Sequence, residues 1–284
     1  MKLLLTIFVF AFFVFPAIAQ ENTDQATVRC YYLFSQKKNK SDQEYFFRDT
    51  LTLDIGSQMS RYYDERKLQR DSTFRSAFFK LDPNRITSLT VIKNVDSDWL
   101  DRSGSAGDIH RNNTYDGISE QIFKNRNTGN IIMINTAGDI GFDWYKGIDE
   151  LSTFNWAIEP DTAEIFNYSC QKASLRFRGR NYEAWFAPQI PINDGPWKFF
   201  GLPGLILKIK DTDNQFDFEC IGIEYLNTPY PITIPENKYF ECNWKDYNKV
   251  ISRKGSGQFI SINGGTVLLA NTSSGPTFQL MELE

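Results

Sequence analysis

The sequence predicts a mainly β protein, a curved antiparallel sheet or half-barrel with one or two helices. Three observations carry that prediction. Apolar and polar residues alternate with period two along much of the chain, the pattern of strands with one covered face. Aromatic residues make up 15% of the 284 residues, and such rings pack well on pleated surfaces. Short clusters of Gly, Pro, Asn and Asp separate the alternating runs and read as turns.

The first nineteen residues read as an export leader rather than structure. Lys2 gives a positive start, Leu3 to Phe15 is apolar apart from Thr6, and Ala17-Ile18-Ala19 has the small-x-small form of a signal peptidase site. The apolar run is shorter than the roughly 20 residues a membrane-spanning helix needs. Cleavage there leaves one domain, residues 20–284, starting at Gln20, with no later run able to cross a membrane. The net charge of −4 becomes one unit more negative once Lys2 leaves. An acidic balance lacks the basic footprint of nucleic-acid binding. Cys30, Cys170, Cys220 and Cys242 are even in number, so an exported chain can pair them in disulfides. Buried free thiols are the alternative, and the wide spacing chooses no pairs and matches no metal or redox motif.

Along the chain, Val28, Cys30, Tyr32 and Phe34 share one side of a strand with Arg29 on the other. Leu51, Leu53 and Ile55 alternate with Thr50, Thr52 and Asp54, which predicts a second half-covered strand. Leu68, Phe74, Phe78 and Leu81 predict a helix over 64–81, ended by Asp82-Pro83. Residues 96–117, rich in Ser, Gly and Asn, predict a long loop. A hairpin follows, from Ile118 to Phe123, through Asn127-Thr128-Gly129-Asn130, to Ile131–Ile134. Further strands are expected near 153–158, 164–178, 182–188, 204–211 and 215–226, and a strand pair over 257–270.

The stretch after Asp161 is the most distinctive. Phe177-Arg178-Gly179-Arg180, Tyr182 to Phe186, Gly195-Pro196-Trp197-Lys198-Phe199 and Gly201-Leu202-Pro203-Gly204-Leu205-Ile206 follow in order. With these elements over about 160–225, the chain resembles the GLPGLI family, exported proteins of certain Gram-negative bacteria. The resemblance implies an exported, β-rich protein of unassigned activity and brings no catalytic residues. In physical terms, Arg178 to Asn181 reads as a tight hairpin turn, with Gly relieving a positive φ. Pro203-Gly204 fits the central positions of a type II turn. Leu205, Leu207 and Ile209 should enter the core with Lys208 and Lys210 outside, and Asp211 to Asn214 should turn the chain into a strand begun by Phe216 and Phe218. The order of paired strands and proline-containing crossing is similar to lipoprotein-carrier half-barrels, in which a sheet wraps a helix around an apolar concave face.

Several constellations compete for a functional role. Arg176, Arg178 and Arg180 would hold a carboxylate or phosphate if they converged, because guanidinium forks match such groups. The plainer reading is an exposed strand face balanced by Glu183, Asp217 or Glu219. Trp185, Trp197, Phe199 and Phe200 line either a pocket for a ligand or the end of the sheet core. His110 is the only histidine, so one chain cannot build a multi-histidine metal centre, and no metal or other cofactor is expected. Asp211, Asp213 and Asp217 lack the glycine and distal glutamate of a calcium loop.

These features point to an exported protein of the periplasm or outer-membrane periphery. Its expected role is non-catalytic binding of an apolar ligand or an envelope protein partner. Two alternatives stand beside it: a hydrolase using carboxylates such as Asp194, Glu183 or Asp143, and a structural component of an envelope assembly.

Overall fold

The computed structural model describes residues 23–40, 43–69, 72, 86–93, 120–135, 144–150, 154–251, 256–262, 265–268 and 281–282. The leader, the second half of the 64–81 helix, the 96–117 loop, His110 and Asp143 lie outside the described residues.

The strands in chain order are β1 (Thr23–Lys40), β2 (Gln43–Gly56), β3 (Met59–Tyr63), β4 (Ile86–Lys93), β5 (Gln121–Asn125), β6 (Asn130–Asn135), β7 (Trp144–Glu150), β8 (Ala157–Ile165), β9 (Tyr168–Phe177) and β10 (Arg180–Ala187). They continue with β11 (Leu205–Asp211), β12 (Phe216–Thr233) and β13 (Tyr239–Asn243); helix α1 (Trp244–Ile251) precedes β14 (Ser256–Ile262) and β15 (Gly265–Leu268). Twelve strands form one open sheet in the order β13-β7-β6-β5-β3-β2-β1-β12-β11-β10-β9-β8. Every neighbouring pair is antiparallel except β13 with β7. A separate sheet joins β15, β14 and β4, so the strand pair expected over 257–270 is present. Among the described residues no helix is long and apolar enough to cross a membrane.

Alternation decides which side chains meet. Val28, Cys30, Tyr32 and Phe34 on β1, with Leu51, Leu53 and Ile55 on β2, are buried on one face, termed inner here. The core on this face also takes in Ile122, Ile131 and Met133, together with Ala173, Ala184, Phe186, Leu207, Ile209, Phe216 and Phe218 from the other half of the sheet. Strands far apart in the order therefore share one interior, and the sheet curls around it.

The expectation of one wet face fails in the middle of the sheet. Thr52 and Asp54 on β2 are buried as well. Burial runs through all of β5 and the centre of β6, because a second core lies on the outer face. It contains Ala26, Met59, Phe123, Ile132, Ile134, Ile232 and Ile234. The run Ile131-Ile132-Met133-Ile134 is thus apolar on both faces, as in strands covered on both sides. At the sheet edge, β8 stays largely exposed and carries Pro160, Glu159 and Asp161, features that blunt an edge against pairing.

Turns explain two further differences. The strand expected over 164–178 is broken by Phe166 and Asn167, both at positive φ (54° and 63°), which join β8 to β9 with Ile165 opposite Tyr168. Asn tolerates that conformation; Phe seldom does, so the sequence carried no Asn-Gly signal there. Arg178 (φ 43°) and Gly179 (φ 80°) make the expected hairpin between β9 and β10. The expected hairpin of β5 and β6 is also present, with Asn125 opposite Asn130.

Of the 64–81 helix, residues 65–69 and 72 are described and helical. Asp64 caps the start, its carboxylate accepting from the Lys67 amide at 2.9 Å. Helix α1 was not anticipated. Its cap is Asn243, whose side-chain oxygen accepts from the Asp246 amide at 3.0 Å, a local signal present in the sequence.

Candidate functional site

The loop from Pro188 to Gly204 fills much of the inner face, and Tyr247 of α1 joins the same core. Its backbone is stitched internally, the Leu205 amide donating to the Ile190 carbonyl and the Ile206 amide to the Asp194 carbonyl, each at 3.0 Å. The Tyr32 hydroxyl donates to the Ile206 carbonyl at 2.7 Å. The type II turn expected at Pro203-Gly204 is not formed. Positive φ falls at Gly201 (99°) instead, and the Gly204 amide donates to the Leu202 carbonyl at 2.8 Å, closing a tight three-residue turn around Pro203. Glycine is required at 204 for a different reason: a Cβ there would lie 2.3 Å from the Ala187 carbonyl oxygen.

The loop is pinned by ions. Lys124, buried on β5, pairs with Asp194, which Arg126 also grips. The Lys124 ammonium donates to the Gly195 carbonyl at 2.6 Å and the Phe199 carbonyl at 3.1 Å. Burial pulls the Lys124 ammonium below the usual lysine range, with Asp194 acting in the opposite direction. Trp197 takes φ 53°, a left-handed conformation that costs an ordinary residue about 1–2 kcal/mol. Ring contacts hold it there, with Phe199 at 5.1 Å and Phe177 at 6.1 Å between centroids.

Beside this aromatic group lies a buried ion cluster. Arg178 donates to Asp149 at 2.7 Å and pairs with Glu282. Lys198 reaches Glu282 at 2.7 Å and Asp149 at 3.3 Å. The Trp244 ring of α1 covers Arg178, 3.6 Å from the guanidinium carbon, and Asn248 donates to Glu282 at 2.6 Å. Two cations and two carboxylates neutralise each other out of water. Burial works against the Arg178 charge, but Asp149 and Glu282 hold its pKa above the ordinary value. Glu120 stands next to them. Burial raises its pKa, while Lys198 and the Tyr247 hydroxyl pull it back.

Glu120 also borders a cavity of about 60 Å³ walled by Phe34, Leu51, Tyr62, Ile122, Trp197, Phe218 and Met281. The Tyr62 hydroxyl is buried with no hydrogen-bond partner among the described residues. A second hollow of about 480 Å³ lies open and polar along β8 and β9, lined by Thr162, Glu164, Asn167, Ser169 and Gln189.

The structure redistributes the predicted site residues. Arg176, Arg178 and Arg180 do not converge, because the two-residue turn after Phe177 reverses the chain. Arg176 is exposed, Arg178 sits in the ion cluster, and Arg180 is buried against Asp211 at 3.3 Å. The exposed strand face is corrected on the same grounds for Arg178 and Arg180. Glu183 and Glu219 pair with lysines instead, Glu183 with Lys172 at 3.1 Å and Glu219 with Lys208 at 2.9 Å. Trp197 and Phe199 come together with Phe177, and Phe199 joins the core against Tyr182 at 4.8 Å. Trp185 alternates to the face opposite Ala184 and Phe186, across from Lys172 and Lys208. Leu202, Leu205 and Ile206 are buried, and Gly195 and Pro196 form the bend leading into Trp197.

All four cysteines are free thiols; Cys30, Cys170 and Cys220 are buried and Cys242 is half-buried. Burial pushes the Cys220 thiol up to about 11. Among the described residues no group of three or more His, Cys, Asp or Glu side chains is placed to hold a metal. Lys124, Lys198, Glu120, Asp149 and Glu282 were missed by sequence reasoning. Only Lys124 left a trace, as a lysine on the same face as Ile122 in an otherwise apolar hairpin.

The chain is therefore a mainly β, open-sheet protein whose inner face carries a small aromatic cavity beside a self-neutralised ion cluster. Residues 177–208 match a family described as "Protein of unknown function (Porph_ging)". That stretch runs from the Arg178 turn through β10 and the inner loop into β11. No curated protein matches the chain in sequence. Solved structures similar to it include PNGF-II in space group P21, with 14% identity and a TM-score of 0.47 over 81% of this chain and 33% of that one. PNGF-II in space group C2 gives 13% identity and a TM-score of 0.48, covering 80% of this chain and 32% of that one. The chain thus spans about a third of the length of those structures.

Proposed function

We propose that the chain is a GLPGLI-type protein, exported to the periplasm or outer-membrane periphery, that acts by binding a protein partner rather than by catalysis. The observation that carries this reading is the size of the inner-face cavity. Its volume of about 60 Å³, at roughly 15 Å³ per water-sized group, accommodates about four heavy atoms. That suits one aliphatic side chain of a partner. Pockets for whole small molecules run to about 300–1,000 Å³; the hollow of about 480 Å³ along β8 and β9 falls in that range but is open and polar, so an apolar ligand of lipid size gains no support. Aromatic walls such as Phe34, Trp197 and Phe218 are the kind of surface that anchors a single buried side chain at an interface. The hydrolase alternative loses support because Asp194 is engaged by Lys124 and Arg126, and Glu183 by Lys172 and Lys210. Export rests on Lys2, the apolar run and Ala17-Ile18-Ala19.

The test is a photo-crosslinking amino acid placed at Met281 in the full chain, irradiated in the native envelope. A single protein adduct mapped to an aliphatic residue, and lost when Leu51→Phe fills the cavity, is the expected result. Adducts with lipid alone, or adducts unaffected by Leu51→Phe, would overturn the reading.

A further inference from the structure

The outer face carries a second site, built by cross-strand register. Arg29 on β1 lies opposite Asp54 on β2, and Asp54 lies opposite Arg61 on β3. Two cations therefore flank one carboxylate, and the carboxylate is already committed. Asp54, fully buried, accepts from Arg29 through Nε at 2.6 Å and Nη2 at 3.0 Å. It also accepts from the Tyr63 hydroxyl at 2.9 Å. Among the described residues Arg61 obtains only a neutral acceptor, the Gln121 side-chain oxygen at 2.8 Å. Its Nε is buried and has no hydrogen-bond partner among the described residues.

Among the described residues the surroundings do not supply the missing charge. Arg61 stacks on Tyr63, 4.0 Å from guanidinium carbon to ring centroid, with Phe123 at 5.7 Å. Arg29 lies 4.7 Å from the centroid of the Tyr230 ring, which is 42% exposed. Glu224, opposite Arg29 on β12, is exposed and bonded by the Tyr31 hydroxyl at 3.1 Å. Burial pulls the Arg61 guanidinium below its ordinary range, with Tyr63 and Asp54 only partly offsetting it. The three-residue row keeps one net positive charge on a half-buried face beside the Tyr63, Phe123 and Tyr230 rings. A guanidinium in that state is best satisfied by an oxyanion, whose oxygens match its planar donors.

We propose that Arg61, supported by Arg29, forms a binding site for a small oxyanion group, a carboxylate or a phosphate, on the outer face of β1, β2 and β3. The aromatic rings flank the molecule carrying that group. The site lies on the opposite side of the sheet from the cavity and does not depend on the reading given for it.

The test is thermal unfolding of the full chain, titrated with inorganic phosphate and separately with acetate, at ionic strength held constant with chloride. A saturable rise of about 3–5 °C at roughly tenfold excess over Kd is expected in at least one arm, and the responding arm names the oxyanion. Gln121→Glu supplies Arg61 with an internal carboxylate and should abolish the response while raising the starting Tm. Arg61→Gln should abolish it too, and Arg176→Gln, on another surface, should leave it intact. No rise in either arm overturns the proposal. So does a rise of equal size in Gln121→Glu, which folds with the site already neutralised.

Discussion

The Lys124 ammonium on β5 lies 2.6 Å from the carbonyl oxygen of Gly195, 71 residues further along the chain. With its pairing to Asp194, that contact ties the inner loop to β5. Removing one member of a buried ion pair leaves the other charge stranded. Lys124→Met should therefore lower stability by about 3–5 kcal/mol, read as a fall in the urea midpoint. A loss below about 1 kcal/mol, the range of exposed pairs, would show that Arg126 alone holds Asp194.

Two glycines should respond very differently to alanine. At Gly204 the added methyl meets the Ala187 backbone at 2.3 Å, and no flexible group can yield. Gly204→Ala should destabilise by about 3 kcal/mol through overpacking. At Gly129, φ is 68° and nothing lies within 4 Å of the added carbon. Only the left-handed conformation is penalised there, about 1 kcal/mol. Equal losses at both positions, measured by chemical denaturation, would refute the distinction.

Tyr62 hides in the cavity wall a hydroxyl without a partner among the described residues. Tyr62→Phe removes that group and keeps the ring packed against Phe218 at 6.4 Å. Stability should rise by about 1 kcal/mol; a fall in Tm would mean the hydroxyl is satisfied.

Two carboxyls should give opposite pH dependence. Burial raises the Glu120 pKa above its usual 4.5, so between the unfolded and folded values the native state binds more protons. Stability from this group is then greatest in acid and declines as pH rises from about 4.5. Glu120→Gln should remove that decline and raise the Tm at neutral pH. At Asp24 burial alone would raise the pKa, but amides of Gln58, Met59 and Gln25 outweigh it and lower it below 3.8. Asp24 contributes stability above that value, lost as pH falls through its folded pKa. Asp24→Asn should therefore reduce stability at neutral pH and flatten the acid limb of the profile.

The thiols should differ in reactivity. Cys30, Cys170 and Cys220 are buried, and burial raises their pKa values, so little thiolate forms near neutrality. Cys242, half-buried on the edge strand, should be alkylated first in the folded protein. Mass mapping after brief alkylation checks this, and early labelling of Cys30 would contradict it.

Much of the local structure was readable in the residue order. Leu205, Leu207 and Ile209 point inward from β11 because period-two alternation is a property of the extended backbone itself. Arg178-Gly179 turns the chain because glycine relaxes a positive φ. The Phe166-Asn167 turn was hidden because Phe is an unusual occupant of that conformation, and the covered outer face of β2 because its cover comes from residues far along the chain.

The residue order by itself determined the alternation of β1, β2 and β11 and the tight turns at 126–129 and 178–179. These depend on steric preferences acting over a few neighbouring residues. In contrast, β3, β4, β7 and β13 were not anticipated, and the strand expected near 153–158 begins only at Ala157. Only the tertiary structure decided that Lys198 meets Glu282, 84 residues away, and that Asp54 is spent on Arg29 while Arg61 is left with an amide. Charge pairing depends on distances in space, and those are set only when the sheet curls and brings its remote strands onto one core.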